Sequence, residues 1–424
     1  MNKTESEQRS LGRLVQITPI IRGLLAKATG EQDIPFKPVI LKSLATKEAI
    51  DFADSAKSAE AKKYPAPLIK SKRPPLFLDA PEESATTEDI RKQLSDAVSD
   101  YANQHKCKPD IVCIRNLGIL YIDNRCSIPD TRKKGKSRIS TGRLMAEHRE
   151  SSIESDLPLK NKIALVTGAA GAIGYGICRG LLENGCHLAA TDLPGEKLDD
   201  FIADLKQIGG ECVMGVPIDV TDKDSVVRGF ESVIQAWGGI DIVVVNAGIP
   251  LISFLKDIDL DAFRKLEKVN VEGALLTMAE AARLFILQGT GGDIIIISTK
   301  NVPSPGAGFG AYSATKAACH QLGRIASIEL AQYGIRVNMV APDGVFSEGK
   351  YKSGLWEQIG PDRMRARGLD EKGLQEYYRN RNLLKAKVTG RHVANAVLFF
   401  ATRQTPTTGA TIPVDGGLPD ATPR

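Results

Sequence analysis

The sequence predicts an α/β protein, a doubly wound parallel sheet of seven strands preceded by a small α/β appendage. Three observations predict it. Ile163 to Val166 is an unbroken apolar run, the pattern of a strand buried on both faces of a parallel sheet. Gly168, Gly171 and Gly174 follow it, and then Ile177, Leu181 and Leu182 recur at helical spacing. From Leu157 onward, strand-like and helix-like segments alternate, as parallel crossovers require.

The 424 residues leave room for two domains, or for one large domain with an addition. Hydrophobic residues make up 42% and charged residues 25%, an ordinary globular balance. The net charge of +5 is uneven, about +7 over the first 150 residues and about −2 over the rest. The start M-N-K-T-E-S-E-Q-R-S has no apolar stretch behind a basic head, so no signal peptide is expected. No apolar run approaches the roughly 18 residues of a membrane span, so no membrane partner is expected. Seven cysteines lie scattered without a C-x-x-C pair, and the five histidines form no H-x-H or H-E-x-x-H pair. Neither a disulfide framework nor a metal site is expected, and a reducing cytoplasm is the simplest location.

In the first 150 residues, Leu11 to Leu25 reads as an amphipathic helix and Val39 to Leu41 as a short strand. Thr46 to Ala61 reads as a helix capped by Thr46, and Leu76 to Leu78 as a strand. Thr87 to His105 reads as a long helix with Thr87 as its cap. Ile111 to Ile114 and Leu117 to Ile122 read as strands around Asn116 and Gly118. The run Arg132 to Arg138 is basic, polar and free of aromatic residues, so it reads as a solvated linker and not as a nucleic-acid site.

In the later part, the strands after Ile163–Val166 are expected at His187–Thr191, Val213–Ile218, Ile240–Val245, Asp293–Ile297, Arg336–Val340 and Thr411–Val414. Polar residues collect after their carboxyl ends, where open α/β sheets bind ligands. The glycine turn lets the backbone approach a pyrophosphate at a helix N-terminus. Asp192 ends the second strand about 20 residues on, where a carboxylate accepts hydrogen bonds from ribose hydroxyls and repels a 2′-phosphate. The cofactor is therefore read as NAD in preference to NADP. Tyr312 and Lys316 stand at i and i+4 on one helix face. A phenol titrates near 10, too high for a base at neutral pH, and an adjacent ammonium favours the phenolate. The pair reads as a general acid/base for an alcohol proton. Cys319 on the same helix reads as a core thiol.

T-G-A-A-G-A-I-G at 167–174, Asp219, N-A-G at 246–248, Asn270, Thr299 and Y-S-A-T-K at 312–316 occur in order. Together they resemble the short-chain dehydrogenase/reductase family over about residues 157–421, with its Rossmann sheet. The resemblance implies that Gly168, Gly171, Ile173 and Gly174 hold the pyrophosphate and Asp192 the adenosine ribose. Asp219 and Val220 would border the adenine, and Asn246, Ala247 and Gly248 would brace the sheet and line the cofactor. Tyr312 would be the acid/base, Lys316 would hold the nicotinamide ribose and ease ionisation of the phenol, and Asn270 would position a relay water. Thr299 stands where the family has Ser, with Ser298 beside it as the fallback. Pro342-Asp343-Gly344 departs from the usual Pro-Gly.

S-T-K-N at 298–301, A-P-D at 341–343, the insert Lys350 to Lys387 and the tail D-G-G-L-P-D-A-T-P-R narrow the resemblance. They resemble the dehydrogenase half of bifunctional rhamnulose-1-phosphate aldolase/lactaldehyde dehydrogenases. T-P-I-I-R-G-L-L, P-F-K-P-V-I-L and I-K-S-K-R-P-P-L-F-L-D resemble the rear of that family's class II aldolase half, without its metal-binding front. The implied organisation is a non-catalytic remnant at 1–126, a basic linker at 127–156 and an NAD-binding catalytic domain at 157–424. The implied activity is hydride transfer between NAD and a small hydroxy-aldehyde or sugar-derived alcohol, in a homodimer or homotetramer packed through helices near 258–288 and 311–332. The insert stands where the family carries its substrate lid. The rival expectations are a 3-oxoacyl or general carbonyl reductase and a non-catalytic NAD-binding protein.

Overall fold

The computed structural model describes residues 5–55, 73–123 and 157–419. The expected basic linker and the end of the Thr46–Ala61 helix lie outside those residues. Contacts divide the chain into two compact units. The first takes residues 1–125 with 230–240 and 283–291, and the second takes the remainder.

In the first unit, helix α1 (Glu5–Leu25) leads to a two-stranded ribbon, β1 (Lys27–Ala28) against β2 (Phe36–Lys37). A mixed four-stranded sheet follows, built from β3 (Leu41–Leu44), β4 (Leu76–Leu78), β5 (Ile111–Ile114) and β6 (Gly118–Ile122) in the order β3-β6-β5-β4. The expected strand at Val39 begins two residues later, at Leu41. Helix α2 (Lys47–Asp54) is capped by the Thr46 hydroxyl. Helix α3 (Thr87–His105) is capped by Thr86, not Thr87. Thr86 and Asp89 form the reciprocal capping box, so the cap falls where the acidic partner stands three residues on. Leu14, Ile17, Ile21, Leu94, Val98 and Leu120 form the main apolar core here, with Leu287 packed against it.

The second unit is a seven-stranded parallel sheet with helices on both faces. Its strands are β7 (Ile163–Val166), β8 (His187–Asp192), β9 (Val213–Pro217), β10 (Ile242–Val245), β11 (Gly292–Ile297), β12 (Ile335–Pro342) and β13 (Thr411–Val414), in the order β13-β12-β11-β10-β7-β8-β9. All six strand pairings are parallel. The central strands are buried along their whole length, which is why β7 and β10 read as continuous apolar runs. The chain steps from β7 outward to β9, then returns to lay β10 on the other side of β7. That reversal opens a crevice at the carboxyl ends of β7 and β10, the place where such sheets bind ligands. The crossover helices are α4 (Ala172–Glu183), α5 (Glu196–Gly209), α6 (Lys223–Trp237), α7 (Leu260–Glu267), α8 (Gly273–Gln288), α9 (Gly310–Leu330) and α12 (Gly390–Ala401). Between β12 and α12 the insert folds as α10 (Gly354–Arg367) and α11 (Glu371–Asn380) around a small core of Phe346, Leu374 and Tyr378.

The long helix expected near 258–288 is continuous but not uniform. A π-helical turn at Lys268–Glu272 joins α7 to α8 and carries Asn270. Such single turns concentrate at functional sites.

Candidate active site

The crevice is a cleft of about 1030 Å³ in the second unit, lined by the glycine turn, by Thr299 and Tyr312, and by residues of the insert. Gly168 turns the chain off β7 with φ +58°, a conformation that favours glycine. A Cβ there would also lie 2.7 Å from the Ala247 Cα. A Cβ on Gly174 would lie 2.2 Å from the Ala169 carbonyl oxygen, so α4 packs directly on the turn. Gly171 caps α4 with no side-chain bond, and a Cβ on it would meet nothing within 4 Å. The first-turn N–H groups of α4, those of Ile173 and Gly174 among them, thus have no capping side chain in front of them. That helix start, with no side-chain cap and with the Ile173 and Gly174 N–H groups beyond the one that Ala172 gives to the Lys352 carbonyl, fits a pyrophosphate.

Asp192 at the end of β8 also lines the cleft, its carboxylate accepting from the backbone N–H of Ala170 and of Leu193, each at 2.9 Å. Asp219 and Val220 after β9 line the adjoining wall, and Asp219 accepts from the Thr221 N–H and hydroxyl. Asn246 at the end of β10 donates to the carbonyls of Thr167 and Gly168 at 3.0 and 2.7 Å, tying β10 to the glycine turn. Ala247 and Gly248 complete that wall. These groups fit a dinucleotide laid across the strand ends.

Helix α9 presents Tyr312 and Lys316 from successive turns, both lining the cleft. The Lys316 ammonium donates to the Ile297 carbonyl at 2.9 Å and is buried. Asn270 is buried and does not line the cleft. Its amide accepts from the Ile249 N–H at 2.9 Å and donates to the Ile249 carbonyl at 3.0 Å and the Thr315 hydroxyl at 3.2 Å. A Cβ on Gly248 would lie 3.1 Å from the Asn270 Oδ1 and 3.3 Å from the Lys316 Nζ, so both side chains close on that glycine. Ser298 and Thr299 follow β11. The Ser298 hydroxyl is 2.9 Å from the His320 Nδ1, whereas the Thr299 hydroxyl accepts a longer bond of 3.3 Å from the Asn301 N–H. Burial pushes the Cys319 thiol above the ordinary range, which suits a core residue and not a nucleophile.

Sequence patterns did not point to the way the insert meets this cleft. The Asp343 carboxylate, in the unusual Pro-Asp-Gly, forms an ion pair with Arg381 just beyond α11. Arg381 also lies 4.2 Å over the Tyr378 ring, and Arg363 lies 4.7 Å over the Phe309 ring. The Lys352 carbonyl accepts from the Ala172 N–H at 3.3 Å, and Tyr351 stacks on Tyr175 at 4.2 Å, fastening the insert's first residues to α4. The resemblance placed the insert as a substrate lid, and its density of Arg and Tyr was legible, but not these pairings. Among the described residues no three His, Cys, Asp or Glu side chains converge as metal ligands, and no helix is long and apolar enough to cross a membrane.

A parallel doubly wound sheet with this cleft defines a nucleotide-binding α/β protein. The family model for short chain dehydrogenases matches residues 162–358. A glucose 1-dehydrogenase from Gluconobacter oxydans is 32% identical, over 62% of this chain and 94% of that protein. The chain belongs to the short-chain dehydrogenase/reductase family. The uncharacterized oxidoreductase YuxG of Bacillus subtilis is 27% identical over 97% of this chain, which spans only 64% of that protein's length. A short-chain dehydrogenase/reductase structure from Mycobacterium marinum superposes with a TM-score of 0.53 at 27% identity, covering 63% of this chain and 98% of that one.

Proposed function

We propose that the protein is an NAD-dependent oxidoreductase acting on a small hydroxy-aldehyde or sugar-derived alcohol, lactaldehyde-like in its reacting end. The observation that carries this is the joint exposure of Thr299, Tyr312 and Lys316 to the cleft that the open glycine turn heads. When bound there, the nicotinamide supplies the hydride acceptor. Tyr312 takes the hydroxyl proton as the carbon–hydrogen bond gives up its electron pair, leaving a carbonyl. An aldehyde substrate reacts as its hydrate, which carries the same C–H and O–H. Lys316, held by the Ile297 carbonyl beside Tyr312, would hold the nicotinamide ribose, and Thr299 donates to the substrate oxygen. Ser298 is the weaker candidate for that role, because its hydroxyl is committed to His320. Asn270 is a positioning residue, holding Ile249 and Thr315 around Lys316.

Asp192 supports NAD over NADP, since a 2′-phosphate would meet its carboxylate. Lys197, which also lines the cleft, is the group that would favour NADP. The glucose dehydrogenase relative supports a polyhydroxylated substrate. Tyr312→Phe should lower kcat by at least a hundredfold while NADH binding, followed by fluorescence, persists. Full turnover by that variant would overturn the assignment, and a higher kcat/KM with NADP than with NAD would overturn the cofactor choice.

We further propose that the protein forms a homodimer or homotetramer. Leu260 on α7, Leu275 on α8 and Ile325 and Ile328 on α9 support it, since all four are exposed and Ile328 reaches 74%. A monomer mass by light scattering would rule it out.

A further inference from the structure

We propose that the end of the cleft beside Tyr312 is an anion site, so that the substrate carries a phosphate or carboxylate in addition to its reacting hydroxyl. The inference rests on the hydride-transfer reading above and narrows its substrate class. Four cationic side chains line this end of the cleft, Lys300, Arg363, Arg367 and Arg381. They come from three places in the chain: Lys300 directly after Thr299, Arg363 and Arg367 on α10, and Arg381 after α11.

Three of the four are held by rings. Arg363 sits 4.7 Å over Phe309, whose ring is 6.1 Å from that of Tyr312. Arg367 sits 4.7 Å over Tyr377, and Arg381 sits 4.2 Å over Tyr378. Stacking fixes the guanidinium planes. Arg381 spends its Nε and Nη2 on Asp343 and Arg367 bonds the Tyr377 hydroxyl, so Arg363 and the Lys300 ammonium are the groups most open to an oxyanion.

The charges do not balance locally. Asp343 faces this group, and Arg381 engages both its oxygens. Of the other carboxylates lining the cleft, Glu357 pairs with Lys352 at 3.8 Å, Asp192 and Asp219 stand at the ends of β8 and β9, and Asp200 lies on α5. Burial lowers the Lys300 pKa first, and Arg381 and Arg363 press it the same way against Asp343. A half-buried ammonium crowded by guanidinium groups is costly in the free protein. A ligand oxyanion with three or more acceptor lone pairs would offset that cost, and Arg363 could meet it with two parallel bonds. The position matters as much as the charge. Lys300 adjoins Thr299 and Arg363 adjoins the Tyr312 side, so the anion lies past the reacting carbon and away from the glycine turn. Phosphorylated sugar alcohols and sugar acids share this chemistry.

The test uses the full chain, inorganic phosphate as the probe, and Lys300→Met and Arg363→Met as variants. Phosphate should raise the wild-type unfolding temperature beyond an equal ionic strength of potassium chloride, and each variant should lose that increment. Without phosphate, Lys300→Met should unfold at the wild-type temperature or higher, because it removes a crowded charge. In kinetics, C3–C6 alditols, their terminal phosphates and the matching aldonates are compared. The kcat/KM ratio of anionic to neutral substrate should exceed one in the wild type and fall roughly 10- to 100-fold in each variant. The preferred anionic series tells phosphate from carboxylate. No phosphate stabilisation, or neutral alditols turned over as well as the anionic ones, would overturn the proposal. If no compound reduces the cofactor, the hydride-transfer reading fails, and the phosphate increment alone then decides for or against the anion site.

Discussion

His320 shows how one side chain can select between two neighbouring hydroxyls. Its ring on α9 sits with Nδ1 2.9 Å from the Ser298 hydroxyl and Nε2 3.4 Å from the Thr411 hydroxyl. Burial lowers its pKa below the usual 6.5, and Arg324 adds to that. The ring is therefore neutral at pH 7, able to donate from one nitrogen and accept at the other. Because the folded pKa is depressed, the unfolded chain takes up the proton first as pH falls. Stability is thus full above 6.5 and is lost as pH drops toward the lower folded value. His320→Gln should flatten this loss, so that the variant's unfolding temperature falls less between pH 7 and pH 5 than the wild type's. Equal slopes would show that His320 does not titrate with unfolding. Ser298 and Thr299 both lie past the end of β11 and both line the cleft, so strand alternation does not choose between them. The partner that holds Ser298 was not legible, because His320 lies 22 residues away on another element. The same holds for Lys300, whose neighbours Arg363 and Arg381 come from an insert that the resemblance marks as a lid without saying which of its charges meet Lys300. Tyr312 and Lys316 were legible because helical spacing alone puts them on one face.

Elements were legible where local periodicity fixes them and less so where packing does. The apolar runs of β7 and β10 and the glycine turn announce themselves, since burial on both faces leaves no room for polar residues. The π turn at Asn270 has no sequence signature, and it carries the amide that bonds Ile249 and Thr315 together. Helix α1 was expected from Leu11 and starts at Glu5. Two of its glycines make a matched test. Gly23 faces a close backbone approach, where a Cβ would lie 1.9 Å from the Gln288 carbonyl oxygen. The Gln288 side chain is itself bonded to both backbone groups of Ile240, so it has little freedom to retreat. Gly12 has nothing within 4 Å of its missing Cβ. Gly23→Ala should cost about 1–3 kcal/mol, as overpacking does. Gly12→Ala should be neutral or stabilise by up to about 1 kcal/mol, the ordinary helix propensity gain. Denaturant melts of both variants check this, and equal effects would mean that α1 does not pack as described.

At the scale of the whole molecule, the two units do not coincide with two stretches of sequence. Residues 230–240 and 283–291, from the ends of α6 and α8, belong with the first unit. There the Ser43 hydroxyl donates to the Gln235 carbonyl at 3.2 Å. Arg91 donates to the carbonyls of Ile286 and Leu287 at 3.0 and 2.7 Å, and Leu287 packs on the Leu14–Ile21–Leu94 core. Sequence reading sets a leading remnant at 1–126 and a basic linker at 127–156 ahead of a catalytic domain at 157–424, on the strength of the resemblance and the basic run. It cannot see that α6 and α8 end among residues more than 100 positions earlier. The expectation from sequence that residues 1–126 are an aldolase-like remnant without metal would be contradicted by stoichiometric zinc in the purified chain. Whatever its origin, this segment supplies the apolar and hydrogen-bonding partners of α6 and α8. A chain cut to 157–424 keeps every residue assigned to the cleft yet strands Leu287 and leaves the carbonyls of Gln235 and Ile286 without those donors. It should unfold several degrees lower than the full chain and scatter light on heating, and Tyr312-dependent turnover should fall in step with the folded fraction. A truncated chain with the full-length unfolding temperature would show that the first unit contributes nothing to those helix ends.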